Sequence, residues 1–272
     1  MLTRSQTLPR SLLDAFRKGA PEYFQLNDND PCTTVASYNV HKCVGTDGVF
    51  NPGRVAEVIC EIDADLIALQ EADGPLGSRR GLLDLRRLEL ATGLTPAHLQ
   101  QGRSHGWHGN LVLARNGIVR GVKRISLPGL EPRGAMIVDL ELKGALLRII
   151  AAHFGLLRRS RSQQATALIE ATRSVLRPTL LLGDLNEWRV KKRSSLLELL
   201  PHFGPLHAVL PSFPSRFPVL ALDRILSRPP DLISSIEVHQ TPLARTASDH
   251  LPLKARLNLD KVRQLHTQPE FA

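Results

Sequence analysis

A chain of 272 residues with 42% hydrophobic content is long and apolar enough to bury a sizeable core, as one large domain or two small ones. Thirty-five Lys and Arg against 26 Asp and Glu leave a net charge of +9 and a pI near 10.0, which favours an anionic partner: nucleic acid, a phospholipid surface or a phosphorylated metabolite. Cys32, Cys43 and Cys60 are odd in number and lack metal-type spacing, and no stretch resembles a signal peptide or a membrane-spanning run, so a reducing, cytoplasmic setting without stable membrane insertion is expected.

In chain order, residues 1–31 are poorly patterned and read as an extension. Within them Ser11 to Phe16 suits a short amphipathic helix behind a serine cap, too short to anchor the protein in lipid. Thr33 to Val40 reads as a strand. Pro52 to Ile62 reads as a helix, because Val55, Val58, Ile59 and Ile62 recur three and four apart and Asn51 can cap its first turn. Leu66 to Glu71 is the next strand and Gly81 to Ala91 a second helix. The strand-like runs Asn110 to Ala114, Ile118 to Leu127, Ala135 to Leu142 and Leu146 to His153 follow, with Asn116-Gly117 and Lys143-Gly144 suited to hairpin turns.

Gln163 to Leu176 carries Ala167, Leu168, Ala171, Val175 and Leu176 on one side, which predicts a helix packed on a sheet with its Arg in solvent. Leu180 to Asp184 returns as a strand. A helix at Ser195 to Leu200, strands near Leu220 to Leu226 and Ile236 to His239, and a last strand at Leu251 to Leu257 complete the pattern. The expected organisation is an extension over 1–31, one folded domain over 32–258 and a polar tail over 259–272.

Five polar clusters interrupt this pattern at the ends of apolar runs: Tyr38 to His41, Gln70-Glu71, His153 to Gly155, Gly183 to Asn186, and Ser248 to His250. Short runs rich in Val, Ile and Leu read as buried strands, so these clusters belong at sheet ends facing one cleft. A carboxylate such as Glu71 is costly at the end of a buried strand unless paired or bound to a metal. Mg2+ takes one or two protein carboxylates and fills its shell with water and substrate oxygens, which suits Glu71 with help from Asn39; a hydrogen-bonded strand-end Glu is the plainer alternative.

Asp184 and Asn186 stand two apart, on one face of an extended chain, where an anion can orient or deprotonate a water and an amide can donate to a phosphoryl oxygen. In isolation the same four residues make a common turn. Asp249 and His250 are adjacent and point apart on a strand, so Asp223 is the better candidate to hold the His250 imidazole, raising its basicity and fixing its tautomer. His153 supplies a second imidazole. His41, His105 and His108 also fall near strand ends, without the spacing of a zinc site.

The ordered set Ser37-Tyr38-Asn39, Leu69-Gln70-Glu71, Gly109-Asn110, His153-Phe154, Gly183-Asp184-Leu185-Asn186, Leu222-Asp223-Arg224-Ile225 and Ser248-Asp249-His250-Leu251-Pro252 resembles the endonuclease/exonuclease/phosphatase superfamily, the DNase I-like metal-dependent phosphohydrolases. The resemblance spans Thr33 to Leu257. It implies an α/β (α+β) fold, a four-layered α/β/β/α sandwich with the site at one edge. It also implies Mg2+ or Mn2+ at Glu71 with Asn39 close by and Asp249 near that ion or a second one. By the same resemblance Asp223 pairs with His250, Asp184 positions the attacking water, and Asn186 and His153 hold the phosphate. Arg133 matches a substrate-contacting arginine, and Asn110 of the Gly-Asn pair joins the substrate side.

Substrate class rests on what differs from the family pattern. Tyr23 and Tyr38 are the only tyrosines, so the mid-chain catalytic tyrosine of abasic-site endonucleases has no counterpart. Leu222 to Leu226 resembles the inositol-phosphatase motif, but Leu220-Ala221-Leu222 replaces its flanking aromatic and cysteine. His41 and Lys42 sit in a loop able to touch substrate. Trp188 with Arg189, Lys191, Lys192 and Arg193 forms a basic stretch that is either a grip on a polyanion or a solvated loop. The expectation is a divalent-metal-dependent phosphoester hydrolase favouring phosphodiesters, nucleic acid among them. The alternatives are a phosphatase or phospholipase-type enzyme acting on inositol phosphates or phospholipids, and a catalytically silent binding module of the same fold. Oligomeric state and the number of metals stay open.

Overall fold

Strands that are apolar at nearly every position need cover on both faces, and the arrangement supplies it. A computed structural model describes residues 33–74, 80–97, 103–173, 177–189, 193–200, 202–205 and 209–266. The Ser11 to Phe16 stretch, Cys32, Val175, Leu176, Lys191 and Lys192 lie outside the described residues. One sheet holds β1 (Thr33–Asn39), β2 (Leu66–Gln70), β3 (Leu94–Pro96), β4 (Leu111–Arg115), β10 (Ile233–Val238) and β11 (Leu253–Leu257), ordered β10-β11-β1-β2-β4-β3. The other holds β5 (Ile118–Leu127), β6 (Arg133–Leu142), β7 (Ala145–His153), β8 (Thr179–Asp184) and β9 (Asp223–Arg228) in sequence order.

Period-two alternation assigns each strand residue to one of two interfaces. Val35, Leu66, Ala68 and Val112 of the first sheet meet Met136, Val138, Ile149, Leu180 and Leu182 of the second in a core between the sheets. Their neighbours Tyr38, Ile67, Leu69 and Leu111 point outward onto α1 (Pro52–Ile62) and α2 (Leu85–Thr92) through Val55, Val58, Ile59, Ile62 and Leu88. On the opposite side Ile137, Ile150, Leu181 and Leu226 pack on α3 (Arg158–Thr172) through Ala165 and Leu168. The result is the expected four-layered α/β/β/α sandwich.

Local signals place most boundaries. α1 starts where expected, with the Asn51 side chain accepting from Arg54 N at 3.0 Å and Pro52 in the first turn. α2 begins at Leu85 rather than Gly81, because the Asp84 carboxylate caps it through Arg87 N at 3.0 Å. α3 begins at Arg158, five residues before the expected start, and its buried side includes Ser160, Arg161 and Gln164. The Ser195 to Leu200 helix is a 3-10 turn over Ser195–Leu199.

Lys143 and Gly144, at φ 49° and 78°, form the two-residue link between β6 and β7, the left-handed pair a tight hairpin requires. Asn116-Gly117 does not make a hairpin: it joins β4 to β5, which belong to different sheets. Residues 259–266, expected as the start of a polar tail, form α5 (Leu259–His266), because Leu259 and Val262 reach the core between the sheets. A short α4 (Pro242–Ala247) precedes the last polar cluster.

Two parallel pairs set up the site. β1 runs parallel to β2 across α1, and β7 runs parallel to β8 across α3. Their ends at Asn39, Gln70, His153 and Asp184 lie along one edge, where the antiparallel partners β9 and β11 begin.

Candidate active site

The two sheets are joined at this edge by side chains 145 residues apart: Asn39 Nδ2 donates to Asp184 Oδ2 at 3.0 Å. Both residues are buried, at 2% exposure. Asn39 Oδ1 accepts from His41 N at 3.0 Å, which locks the amide orientation. Asp184 Oδ1 accepts from Asn186 N at 3.0 Å across a turn in which Asn186 takes φ 52°, and Asn186 Nδ2 donates to Phe154 O at 3.0 Å. Asn tolerates this left-handed conformation better than most residues.

Two imidazoles flank the Asp184 carboxylate. His153, directly opposite Asp184 in the β7–β8 register, brings Nε2 to 3.5 Å from Asp184 Oδ2. Its Nδ1 lies 2.9 Å from Arg133 Nη1. A guanidinium only donates, so Nδ1 accepts and the ring proton sits on Nε2, facing Asp184. Burial chiefly, with Arg133 adding to it against the opposing pull of Asp184, brings the His153 pKa down to about 4, so the ring is neutral at neutral pH.

His250 is the opposite case. Its Nδ1 is 2.8 Å from Asp223 Oδ2 and its Nε2 is 3.7 Å from Asp184 Oδ2. Burial works against its charge, but Asp223 and Asp184 outweigh that and push the pKa up to about 10. The Asp223 oxygen also accepts from Ser212 Oγ at 2.5 Å, and the Phe213 ring packs 4.9 Å from the imidazole. Asp184, Asp223 and His250 present ligand-type atoms within 4.8 Å of one another, but these are already engaged in compensating the two buried carboxylates with one imidazolium.

Asp223 Oδ1 is buried without a hydrogen-bond partner, and further uncommitted acidic oxygens lie on the first sheet's side. Glu71 follows β2 at φ 55°, and its Oε2 is buried without a hydrogen-bond partner, 3.5 Å from Lys42 Nζ. Burial opposes ionisation of Glu71, yet His153, Lys42, His41 and Arg133 overcome it and hold the pKa below the ordinary carboxylate value. Asp249 Oδ1 is 3.7 Å from His41 Nδ1, and burial, with a contribution from Glu71, raises its pKa. A stranded buried carboxylate oxygen, a second half-buried carboxylate and an amide oxygen are hard donors. That set fits a divalent cation of the Mg2+ or Mn2+ kind.

The expected substrate-side residues divide. His41, Lys42 and Arg133 reach solvent, with side chains 39%, 52% and 21% exposed. Arg133 is aimed by Glu131, whose Oε2 accepts from Nε and Nη2 at 3.1 and 2.8 Å. Asn110 is fully buried and its Nδ2 donates to Trp107 O and Gly134 O at 3.1 and 3.0 Å, which braces the backbone next to Arg133, while its Oδ1 is buried without a hydrogen-bond partner. Trp188 is half-buried with the Arg189 guanidinium 4.2 Å over its ring.

Sequence reasoning missed Ser212, Glu131 and a buried network under Asn186. Glu187, fully buried, accepts from Ser195 N at 2.9 Å, Ser195 Oγ at 2.6 Å, Arg189 N at 2.9 Å and Arg161 Nη2 at 3.2 Å. Its backbone oxygen accepts from buried Arg224 at 2.9 Å. The one available signal was a carboxylate immediately following Asn186, with no partner evident nearby in sequence.

The sequence profile of the Endonuclease/Exonuclease/phosphatase family matches residues 36–250, which include every residue of this cluster. The chain belongs to that family. It is 28% identical over 250 residues to the uncharacterized protein YbhP of Escherichia coli K12, an alignment covering 83% of this chain and 96% of that one. The fold is shared with solved structures at lower identity. An endonuclease/exonuclease/phosphatase from Beutenbergia cavernae matches with TM-score 0.65 at 21% identity, over 84% of this chain and 72% of its own. The Bacteroides thetaiotaomicron mannosyl-6-phosphatase Bt3783 matches with TM-score 0.61 at 18% identity, over 83% and 99%. Danio rerio TDP2 complexed with single-strand DNA product matches with TM-score 0.59 at 14% identity, over 84% and 100%. The Asp223–His250 pair is the one the resemblance implied, whereas the Asn39–Asp184 bridge was not anticipated from the sequence.

Proposed function

We propose that the protein hydrolyses phosphodiesters by in-line attack of water, assisted by Mg2+ or Mn2+ held at Glu71 with Asn39 and Asp249. The observation that carries this reading is a buried carboxylate, Asp184, flanked by one neutral and one charged imidazole. Titratable groups driven apart by their surroundings mark divided acid–base roles. Asp184 orients the water and takes its proton. His153, with its proton on Nε2, donates to a non-bridging oxygen without adding a full charge. The His250 imidazolium, held by Asp223, faces the charge that develops on the phosphoryl group. Asn186 exchanges its bond to Phe154 O for one to substrate, and Arg133 extends the donor set outward. The cation, when bound, neutralises phosphoryl and leaving-group oxygens.

The net charge of +9 supports diesters carried on polyanionic or anionic surfaces over small monoesters. The neighbours' names, a DNA-complexed TDP2 and a sugar phosphatase, span both chemistries, so the fold itself does not choose. A cytoplasmic setting agrees with Cys43 and Cys60 both being free; no helix among the described residues is long and apolar enough to cross a membrane. The test is turnover of bis-p-nitrophenyl phosphate with Mg2+ or Mn2+, compared with chelator and with the monoester p-nitrophenyl phosphate. Chelator-sensitive hydrolysis favouring the diester is expected. Absence of turnover with either metal would transfer the reading to a silent binding module.

A further inference from the structure

Twelve large apolar side chains are exposed among the described residues, and half of them crowd the edge that holds the site. Val49 and Phe50, 52% and 56% exposed, lie in the loop that follows β1. Phe217, 66% exposed, lies in the segment before β9. Leu130, 86% exposed, lies between β5 and β6, and Leu156 and Leu157, 66% and 50% exposed, connect β7 to α3. Scattered exposed hydrophobics need no explanation, but a concentration beside a functional cleft does.

The six form two lobes on opposite sides of the cleft. Thr46, in the loop of Val49 and Phe50, accepts from Arg216 Nε at 3.0 Å, which ties that loop to Phe217. Ser215 N donates to Asp249 O at 2.7 Å, and Phe213 packs on His250, so this lobe borders the Asp249–His250 side. On the other side Leu156 N donates to Glu131 Oε1 at 2.7 Å, joining the Leu130 loop to the Leu156-Leu157 link beside Arg133 and His153. These loops are pinned: Arg54 grips Asp47 with two bonds and also donates to Val49 O. The exposed apolar side chains are therefore presented to solvent in fixed positions, where a surface that covered them would gain hydrophobic free energy.

Cations accompany the lobes. Exposed Arg158 and Arg159 follow Leu157 directly, Arg216 precedes Phe217, and exposed Lys42 stands at the cleft. The carboxylates in the same loops, Asp47 and Glu131, are each held by an arginine. Aliphatic side chains flanked by basic ones match the boundary of a charged headgroup layer and acyl chains. A polynucleotide rewards aromatic rings on a basic track, and Val49, Leu130, Leu156 and Leu157 offer it no π-face.

We propose that this edge docks on an anionic phospholipid surface, the two apolar lobes seating in the headgroup layer on either side of the cleft, so that the phosphoester reaching the site is presented by lipid. The docking stands on the surface alone, while the substrate class rests on the hydrolase reading above. Sedimentation of the full chain with vesicles of phosphatidylcholine, alone or mixed with phosphatidylglycerol, tests it. Partition into the mixed vesicles only, weakened by salt, is expected. Both F50S/F217S and L156S/L157S should weaken that partition about tenfold or more. Their melting temperatures and their turnover of soluble bis-p-nitrophenyl phosphate should match the wild type.

Failure to sediment with the mixed vesicles overturns the proposal, as does binding that both double variants retain in full. Loss in the same variants of binding to a single-stranded oligonucleotide, without vesicle binding, would reassign the face to nucleic acid. Vesicle binding without soluble turnover would leave the docking face standing and remove the hydrolase reading; turnover without vesicle binding would do the reverse.

Discussion

Each sheet contains one parallel pair crossed by a helix, β1–α1–β2 and β7–α3–β8, and the two units deliver different chemistry to the same edge. The first ends in Asn39 and Glu71, oxygen donors of which the Glu71 side chain is 20% exposed. The second ends in His153 and Asp184, buried at 3% and 2%. In the open unit a carboxylate stays ionised and without a hydrogen bond at Oε2, as cation binding needs. In the closed unit burial holds His153 neutral, with a pKa of about 4, beside the Asp184 carboxylate that helps push His250, arriving from just before β11, up to about 10. Under the proposed function, the same topology would serve cation chemistry in one unit and proton chemistry in the other, according to how deeply the strand ends are covered.

The closed unit should break first. Asp184→Ala removes the anion that both imidazoles face, and turnover of bis-p-nitrophenyl phosphate is expected to drop about 1,000-fold or more with circular dichroism unchanged. Activity retained in both this variant and His250→Ala would refute the roles given to them. In the open unit Glu71→Gln should weaken Mn2+ binding, read by electron paramagnetic resonance, by at least about tenfold, and should move the His153 pKa further down, because the Glu71 carboxylate helps hold it up.

A finer separation comes from Arg133→Gln, which should lower turnover about tenfold and change Mn2+ affinity by no more than about a few-fold, since Arg133 contributes least among the groups that hold Glu71 ionised. Arg133 helps depress the His153 pKa, so its removal should raise that pKa from about 4 toward the ordinary value of 6.5, visible by NMR titration. A histidine that binds protons more weakly folded than unfolded costs stability as pH falls from about 6.5 toward about 4. Urea unfolding in that window should show a shallower loss for the variant than for the wild type. The smallest effect belongs to Lys42→Met. Removing the ammonium 3.5 Å from Glu71 should tighten Mn2+ binding by about a few-fold only, since the lysine side chain is half exposed.

Much of the architecture was legible because its signals are local. Leu66 to Leu69 and Leu180 to Leu182 read as strands since both of their faces are buried, and Asn51 announced α1 through a cap three residues long. Other elements misled because their reason lies elsewhere in the chain. Nothing around Asn116-Gly117 tells that β5 leaves the sheet of β4, and Leu259 with Val262 look like part of a polar tail until the gap between the sheets is seen to receive them. In the site, the Asp223–His250 pairing was foreseen and is found, whereas Ser212 and Glu131 had no sequence signal at their own positions and the Glu187–Arg161–Ser195 network had only the Glu187 carboxylate next to Asn186.

By itself the sequence determined which chemical groups stand at strand ends and in what order, because apolar run length and period are properties of adjacent residues. Only the tertiary structure decided their protonation and partners. The charge that holds His250 protonated comes from Asp223 and Asp184, and the amide that braces Asp184 comes from a strand 145 residues away. Electrostatic interaction depends on distance through space and on burial, neither of which is set by separation along the chain.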